Sequence, residues 1–258
     1  MNFQHLSLVL ADRLATVHLA RPEARNALSQ ALMRELLAVA HDLADRSDID
    51  VVLLAGDARC FSAGADLRDA SRWDDEGRSL NERREIAALG YKLCKSWEEL
   101  PQISIVAIEG YAVGGGLALA LACDWRVLAD DAFVSLPEVA LGIPLTWGAI
   151  PRLVSLVGPA RAKRLTILCE RLPAEQALVM GLVDYLTLPG LALSKAREVA
   201  ARTLGMPGAA VRMSKQTANA VATALHHAAG HMAHDQLALA AASDESRLAR
   251  AAALKLRV

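Results

Sequence analysis

Two short, uninterrupted apolar runs constrain the fold of this chain more than any other feature. Val51–Ala55 lies between Asp50 and Gly56, and Ile103–Ile108 follows a segment, about residues 80 to 100, that is predicted to be helical. Apolar runs of five or six residues bounded by polar residues or glycine are typical of strands that are buried on both faces. Because such strands alternate with helices, the sequence predicts an α/β architecture with a mostly parallel sheet.

The segments around these strands complete the predicted organisation. Alternating apolar residues on both sides of Asp12 predict an N-terminal hairpin, and residues 26–45 carry apolar residues at helical spacing. Residues 68–81 are charged and polar, which indicates an exposed loop. From about residue 191 the chain is alanine-rich and predicted helical. We therefore expect a core over 1–190 and a helical region over 191–258 that packs on a neighbouring subunit.

Composition narrows the class of protein. The chain has 258 residues, is 53% hydrophobic and carries a formal net charge of −1. A near-neutral charge argues against a nucleic-acid partner, and no apolar stretch is long enough to span a membrane. The start of the sequence lacks the pattern of a secretory signal. The four cysteines form no CxxC pair, so we expect reduced thiols and a cytoplasmic protein. They are Cys60, Cys94, Cys123 and Cys169.

Two glycine-containing turns follow the two apolar runs. The segment 60–67 contains Ala63, Gly64 and Ala65, small residues that allow a ligand to approach the backbone closely. The segment 110–116 ends in three glycines and opens a helix, so its N–H groups point outward at the positive end of the helix dipole. If the two turns face each other, they can form an oxyanion hole. Taken alone, each turn is a weak signal, since a triple glycine before a helix is more often a packing or turn device, and no P-loop lysine follows the glycines.

Glu138 is the third feature that suggests chemistry. It is the only ionisable side chain between Asp131 and Arg152. Burying a carboxylate among apolar residues costs free energy, so a buried carboxylate is usually paired or takes part in binding or catalysis. Burial also raises its pKa toward the range used in acid–base catalysis. The alternative is that Glu138 points into solvent or caps a turn.

Taken together, these segments resemble the crotonase family of enoyl-CoA hydratases and isomerases. Residues 21–28 (RPEARNAL) are similar to the family segment that lies along the coenzyme A adenine, and 61–67 (FSAGADL) to its oxyanion turn. Residues 110–116 resemble its second turn, and Pro137 and Glu138 the distal catalytic glutamate. The resemblance covers about residues 5 to 190. It implies a spiral of ββα units, as in the ClpP/crotonase fold, with a C-terminal helical trimerisation region.

The resemblance also implies a function and a set of site residues. The substrate would be an acyl-CoA thioester, with coenzyme A as part of the substrate, no separate cofactor and no metal. Ala65 and Gly115 would hold the thioester oxygen through their N–H groups, and Glu138 would move protons. Other residues are expected to contact coenzyme A or the acyl group: Ala24, Arg25, Ala27, Ala63, Asp66, Leu67, Gly114, Pro137 and Trp147. The assembly would be a homotrimer or a hexamer made of two trimers.

One position departs from the hydratases of this family. They carry a second glutamate three residues beyond the central glycine of the second turn, where this chain has Ala118. Hydration uses two carboxylates to orient and activate water, whereas moving a double bond needs only one. The sequence therefore favours double-bond isomerisation, with hydration as the first alternative and a non-catalytic acyl-CoA-binding protein as the second. Trp147 indicates either a narrower acyl pocket or a core residue.

Three other signals are set aside. His227 and His231 have the i, i+4 spacing of a helical metal pair, but the zincin glutamate is absent between them. Ser62 has no evident His and Asp to activate it, which argues against a serine hydrolase. Asp66 is either a helix cap or a neighbour of the ligand, and of these two roles the cap is favoured.

Overall fold

The computed structural model of this chain describes residues 3–73, 77–224, 226 and 233–255. Its main sheet has the strand order β1-β2-β3-β4-β6-β9. β1 and β2 form the antiparallel N-terminal hairpin, and every later pair in this sheet is parallel. The strands are β1 Leu6–Ala11, β2 Leu14–Leu19, β3 Val51–Ala55, β4 Ile103–Ile108, β6 Trp125–Ala129 and β9 Tyr185–Thr187.

A second, smaller sheet has the order β5-β7-β8. β5 and β7 are parallel, and β7 and β8 are antiparallel. Its strands are β5 Tyr111–Val113, β7 Phe133–Ser135 and β8 Leu172–Pro173. β5 occupies part of the segment that the sequence predicted to be a glycine turn, so that turn leads through a short strand before its helix begins. The predicted α/β class, with a mostly parallel main sheet, is confirmed.

Helices connect the strands and cover both faces of the main sheet. They are α1 Gln30–Ala44, α2 Ala70–Trp73, α3 Leu80–Glu98, α4 Gly115–Leu121, α5 Ala149–Val157, α6 Pro159–Ile167, α7 Ala174–Val179, α8 Ala192–Leu204, α9 Gly208–Ala222, α10 Ala233–Ala241 and α11 Asp244–Lys255. Short 3-10 turns lie at Pro22–Ala24 and Val139–Leu141. In the described part of the chain, no helix combines the length and apolar character needed to cross a membrane.

The buried strands divide their side chains between two cores. In β3, Val52 and Leu54 join the larger core, whereas Val51, Leu53 and Ala55 face the core beneath α8. This alternation follows from the two-residue period of a strand whose faces are both covered. The sheet is therefore a rigid support, and the loops after β3, β4 and β7 carry the site.

α1 begins later than the sequence predicted. The helical spacing starts at Asn26, but Arg25 and Asn26 both have positive φ, and the helix starts at Gln30 after the cap Ser29. Asn26 is fully buried, and its side-chain amide donates to Asp57 and to the Cys60 carbonyl. Asparagine tolerates a left-handed backbone better than most residues, and here its side chain is also held by the Arg21 N–H, which donates to Asn26 Oδ1 at 2.9 Å. The backbone before α1 thus turns toward the site instead of extending the helix.

Candidate active site

The first turn follows β3 and is held by backbone bonds from two sides. The Leu28 N–H donates to the Gly64 carbonyl at 2.8 Å, and the Asp66 N–H donates to the Leu28 carbonyl at 3.1 Å. On the other side, the Val113 N–H donates to the Ser62 carbonyl at 3.0 Å. The turn is therefore fixed between the segment before α1 and strand β5.

The second turn lies directly against the first. Gly114 has φ +55 and donates its N–H to the Ser135 carbonyl at 2.8 Å, which ties the start of α4 to β7. Gly64 has φ +89, and a Cβ built on it would lie 2.6 Å from the Val113 carbonyl oxygen and 3.2 Å from the Gly115 nitrogen. Only glycine fits here, because a side chain would meet both an unfavourable φ and the opposite backbone. The two glycine turns face each other at backbone contact distance.

Two amide groups in these turns have no protein acceptor in the part of the chain that the structure describes. Neither the Ala65 N–H nor the Gly115 N–H donates a hydrogen bond there, while the neighbouring Gly64, Asp66 and Gly114 amides all do. A buried amide that is not bonded normally has a ligand or water as its partner. Both residues line the same small cavity.

Glu138 stands at the end of β7, at the entry to the 3-10 turn Val139–Leu141. Its carbonyl accepts from the Leu141 and Ile143 amides, which fixes the backbone around it. The side chain packs against the second turn, since a Cβ on Gly114 would lie 2.6 Å from Glu138 Oε1. Oε2 is buried, with no hydrogen-bond partner among the described residues. Burial raises the pKa of Glu138 from 4.5 to about 7.

These residues surround a cavity of about 40 Å³, which we call the inner chamber. Glu138 is the only carboxylate among the described residues that line it, and Ala118 lies in its wall without supplying a second acid. The lining residues are Ala63, Gly64, Ala65, Leu67, Arg72, Val113, Gly114, Gly115, Ala118, Pro137, Glu138, Leu141, Ile143, Pro144, Leu145, Thr146, Trp147 and Leu237.

Trp147 forms one wall of the inner chamber. Its backbone is left-handed, with φ +61, and this is rare for a bulky residue. The conformation is held by Arg152, which donates to the Trp147 carbonyl at 2.9 Å and pairs with Glu98 at 2.7 Å. The indole covers Gly115, where a Cβ would lie 2.5 Å from the ring. The tryptophan is therefore both a buried residue and part of the chamber wall.

A larger outer groove of about 930 Å³ opens beside the inner chamber. The two cavities adjoin, since they share five wall residues. The shared residues are Ala63, Ala65, Leu67, Val113 and Pro137. The groove is also lined by Arg21, Arg25, Arg68 and Arg171, a set of cations suited to phosphate groups.

The predicted site residues all lie on these two cavities. The inner chamber contains Ala63, Ala65, Leu67, Gly114, Gly115, Pro137, Glu138 and Trp147, and the outer groove contains Ala24, Arg25, Ala27 and Asp66. Their placement is an observation, and the role of each stays a prediction.

The predicted role of Asp66 as a helix cap is wrong. Its side chain pairs with Arg21 at 3.0 Å and accepts from the Arg68 N–H in a turn. It starts no helix, because α2 begins four residues later and Asp69 accepts from the Ser71 N–H at its start. The pairing with Arg21 joins the first turn to the segment before α1.

The sequence missed Arg72. The segment 68–81 was predicted to be an exposed loop, but α2 forms within it and Arg72 is only 7% exposed, in the wall of the inner chamber. No sequence signal identifies it, because an arginine in a polar segment is usually solvated. Two other wall residues belong to the helical tail and were also not predicted: Leu237 in the inner chamber and Leu254 in the outer groove.

Metal binding was not expected from the sequence. The described residues contain no group of three or more His, Cys, Asp or Glu side chains placed to hold a metal ion. His227 and His231, the pair considered from the sequence, lie outside the described residues. Ser62 donates to the Asn26 carbonyl and accepts from the Gly64 N–H, which is a structural role.

Comparisons with known proteins all find enoyl-CoA hydratases or isomerases. A family profile described as Enoyl-CoA hydratase/isomerase matches residues 11–252. A "Crotonyl-CoA hydratase" of Syntrophomonas wolfei is 34% identical over 85% of this chain and 83% of its own length. A "Short-chain-enoyl-CoA hydratase" of Clostridium acetobutylicum is 33% identical over 85% of this chain and 82% of its own length. The crystal structure of an enoyl-CoA hydratase from Mycobacterium avium subsp. paratuberculosis has a TM-score of 0.89 at 26% identity, covering 98% of this chain and 97% of that one.

Proposed function

This chain belongs to the enoyl-CoA hydratase/isomerase family, and we propose that it moves the double bond of an enoyl-CoA thioester through an enolate. The Ala65 and Gly115 N–H groups hold the thioester oxygen, and Glu138 transfers the proton. The observation that carries this proposal is that, among the described residues, two amides without a protein acceptor and one carboxylate with a buried oxygen line the same chamber. Coenzyme A lies along the outer groove as part of the substrate.

The reaction needs one acid–base group. In a 3-enoyl-CoA, the Glu138 carboxylate takes a proton from C2, and the C–H electrons move onto the thioester oxygen to give a dienolate. The electrons then return from oxygen, the protonated Glu138 gives its proton to C4, and the product is a 2-enoyl-CoA. No other reactant is consumed. The negative charge that develops on oxygen is stabilised by the two amides, and losing one such donor costs about 3 kcal/mol of barrier.

The pKa of Glu138 suits this exchange. At about 7, the carboxyl group exists in both forms near neutral pH and can accept and return a proton with little bias. Because Glu138 is the only carboxylate among the described residues that line the inner chamber, we infer that one group serves both steps.

A test of the proposal is turnover of 3-butenoyl-CoA to crotonyl-CoA, followed by the absorbance of the conjugated product. Glu138→Gln keeps the shape of the side chain but removes its base, and we expect a loss of about 10²- to 10⁴-fold in kcat. Glu99→Gln, a change at an exposed carboxylate paired with Lys95 away from both cavities, serves as the control and should retain full activity. Equal turnover by Glu138→Gln and the wild type would refute the proposal.

Hydration is the second candidate, favoured by the names of the relatives. Two of them are a crotonyl-CoA hydratase and a short-chain-enoyl-CoA hydratase. In that reaction a second group, or water ordered by the backbone, would assist Glu138. Loss of crotonyl-CoA absorbance in water measures hydration directly. Faster hydration of crotonyl-CoA than isomerisation of 3-butenoyl-CoA would favour this candidate, and binding of both without turnover would favour a non-catalytic acyl-CoA-binding protein.

A further inference from the structure

The buried guanidinium of Arg152 makes three hydrogen bonds behind the wall of the inner chamber. Nε and Nη2 donate to the two carboxylate oxygens of Glu98, each at 2.7 Å, and Nη1 donates to the Trp147 carbonyl at 2.9 Å. The Arg152 side chain is only 5% exposed. This arrangement requires arginine, because the ammonium of a lysine cannot reproduce a planar fork that also reaches a third acceptor.

The bond to Trp147 falls on backbone in an unfavourable conformation. Trp147 and Gly148 both have left-handed φ, +61 and +69, immediately before α5 begins. Gly148 leaves room for the guanidinium, since a Cβ there would lie 2.8 Å from Arg152 Nη1. A bulky residue keeps such a φ only when the surrounding structure imposes it. Arg152 supplies one of the contacts that impose it.

The indole of Trp147 fills a slot between two helices. A Cβ built on Gly90 of α3 would overlap Cε2 of the indole, and one built on Gly115 of α4 would lie 2.5 Å from Cζ3. The ring therefore lies directly against both backbones. Gly115 is the first residue of α4, and its N–H is one of the two amides without a protein acceptor among the described residues. A shift of the ring would release the start of α4.

Glu98 connects this wall to the C-terminal helices. Its backbone carbonyl accepts from Asn219 Nδ2 at 3.1 Å, and its Oε1 lies 3.5 Å from His226 Nδ1. Neither Glu98 nor Arg152 is among the described residues that line the two cavities. The residue through which this pair reaches the inner chamber is Trp147.

We propose that Arg152 and Glu98 are positioning residues for the reaction, which hold Trp147 so that its indole keeps the Gly115 amide in place for the thioester oxygen. The inference rests on the proposed function for the role of that amide, and it adds two residues that do not touch the substrate. An oxyanion hole is effective because its donors are fixed before the charge develops, so a small displacement of Gly115 raises the barrier.

Arg152→Lys tests the pair while keeping its charge. We expect kcat on 3-butenoyl-CoA to fall about 10- to 100-fold while KM stays within about threefold, because the outer groove is unchanged. Arg126→Lys is the matched control. Arg126 is 2% exposed, pairs with Asp184 at 2.8 Å and also donates to a backbone carbonyl, but it is not among the residues that line the cavities. It should lose stability and keep its kcat. Equal kcat values for Arg152→Lys and Arg126→Lys would overturn the inference.

Two further variants show whether the effect passes through the indole. Gly90→Ala places a methyl group against the ring from the α3 side, and it should lower kcat about tenfold or more although alanine favours a helix. Trp147→Gly removes the ring, and glycine adopts the left-handed backbone without support. In that background Arg152→Lys should lower kcat by less than about twofold. Full activity of Gly90→Ala, or an undiminished effect of Arg152→Lys on Trp147→Gly, would contradict the proposal. If Trp147→Gly does not fold, Gly90→Ala and Arg152→Lys decide.

A measurement without turnover separates this inference from the proposed function. The chain has four tryptophans, so 5-fluorotryptophan labelling gives few fluorine NMR signals, and Trp147→Phe identifies the one from position 147. Arg152→Lys should shift or broaden that signal and leave the signal of Trp125, on β6, in place. Full turnover by Glu138→Gln would refute the proposed function without changing this expectation. If turnover depends on Glu138 but Arg152→Lys leaves the Trp147 signal and kcat unchanged, only the positioning role fails.

Discussion

At the scale of single residues, the pKa of Glu138 sets the pH dependence of the reaction. Burial holds this pKa at about 7, and the deprotonated form is the base that takes the C2 proton. We predict that kcat/KM for 3-butenoyl-CoA is low at pH 5, rises tenfold per pH unit below pH 7 and becomes constant above it. A profile measured between pH 4 and 9 checks this; an inflection near 4.5 instead of 7 would show that Glu138 is solvated.

The same burial makes the folded state sensitive to pH. Between pH 4.5 and about 7 the folded chain keeps a proton on Glu138 that the unfolded chain has lost, so this group's contribution to the free energy of unfolding falls as pH rises through that window. The complete effect above pH 7 is on the order of 3 kcal/mol. Glu138→Gln should therefore lose less stability than the wild type between pH 5 and pH 8 in urea denaturation. Equal losses of the free energy of unfolding in the two proteins between pH 5 and pH 8 would argue against a buried carboxylate.

At the scale of elements, the contact between the two glycine turns depends on Gly64. Gly64→Ala introduces a Cβ at φ +89 that would meet the Val113 carbonyl and the Gly115 nitrogen. Gly190→Ala introduces the same kind of backbone strain at φ +79, with nothing within 4 Å of the new Cβ. Each should lose roughly 1 kcal/mol of stability or more.

Activity distinguishes these two glycine variants. Only Gly64→Ala should lose turnover, by about tenfold or more, because it separates the amides of Ala65 and Gly115. Stability and 3-butenoyl-CoA turnover are measured on both proteins. Comparable losses of activity would mean that strain alone, and not the spacing of the turns, determines the rate.

The sequence predicted which helices and strands form more accurately than the residues at which they begin. The buried strands β3 and β4 follow directly from their apolar runs, because five or six such residues between breakers have few other stable arrangements. The start of α1 was missed, since the left-handed backbone at Arg25 and Asn26 depends on bonds to Asp57 and Cys60 far along the chain. Local spacing contains no information about those partners.

The candidate site was predictable where a residue's neighbours in sequence define its environment. Glu138 stood out because it is the only ionisable group in an apolar segment, and the glycine turns because each follows a strand. Arg72 and Leu237 could not be found in this way, since their burial depends on packing between distant segments. The helix α2 that carries Arg72 is only four residues long and lies in a polar stretch.

At the scale of the whole molecule, apolar side chains remain on the surface around α6 and α7. Ile167, Leu168 and Val179 are 57%, 63% and 77% exposed. Together with the homotrimer or hexamer expected from the sequence, these side chains suggest an interface between subunits. We predict a mass near three or six times 27.5 kDa by light scattering. A 27.5 kDa particle at micromolar concentration would contradict the prediction.

The helical tail also packs on its own chain. α10 lies against α3, where Arg84 pairs with Asp235 at 2.9 Å, and its Leu237 completes the wall of the inner chamber. We predict that Leu237→Ala enlarges the chamber and raises activity on longer enoyl-CoA substrates relative to 3-butenoyl-CoA. Relative kcat/KM values for C4 and C6 substrates measure this. An unchanged ratio would show that the tail does not limit the acyl group.

The most direct measurement is a crystal structure of the protein with an acyl-CoA bound. The account predicts that the thioester oxygen lies about 2.7 to 3.1 Å from both the Ala65 and the Gly115 nitrogen, with the Glu138 carboxylate against C2. It would be contradicted by a thioester oxygen that contacts neither amide, or by Glu138 turned away from the acyl carbons.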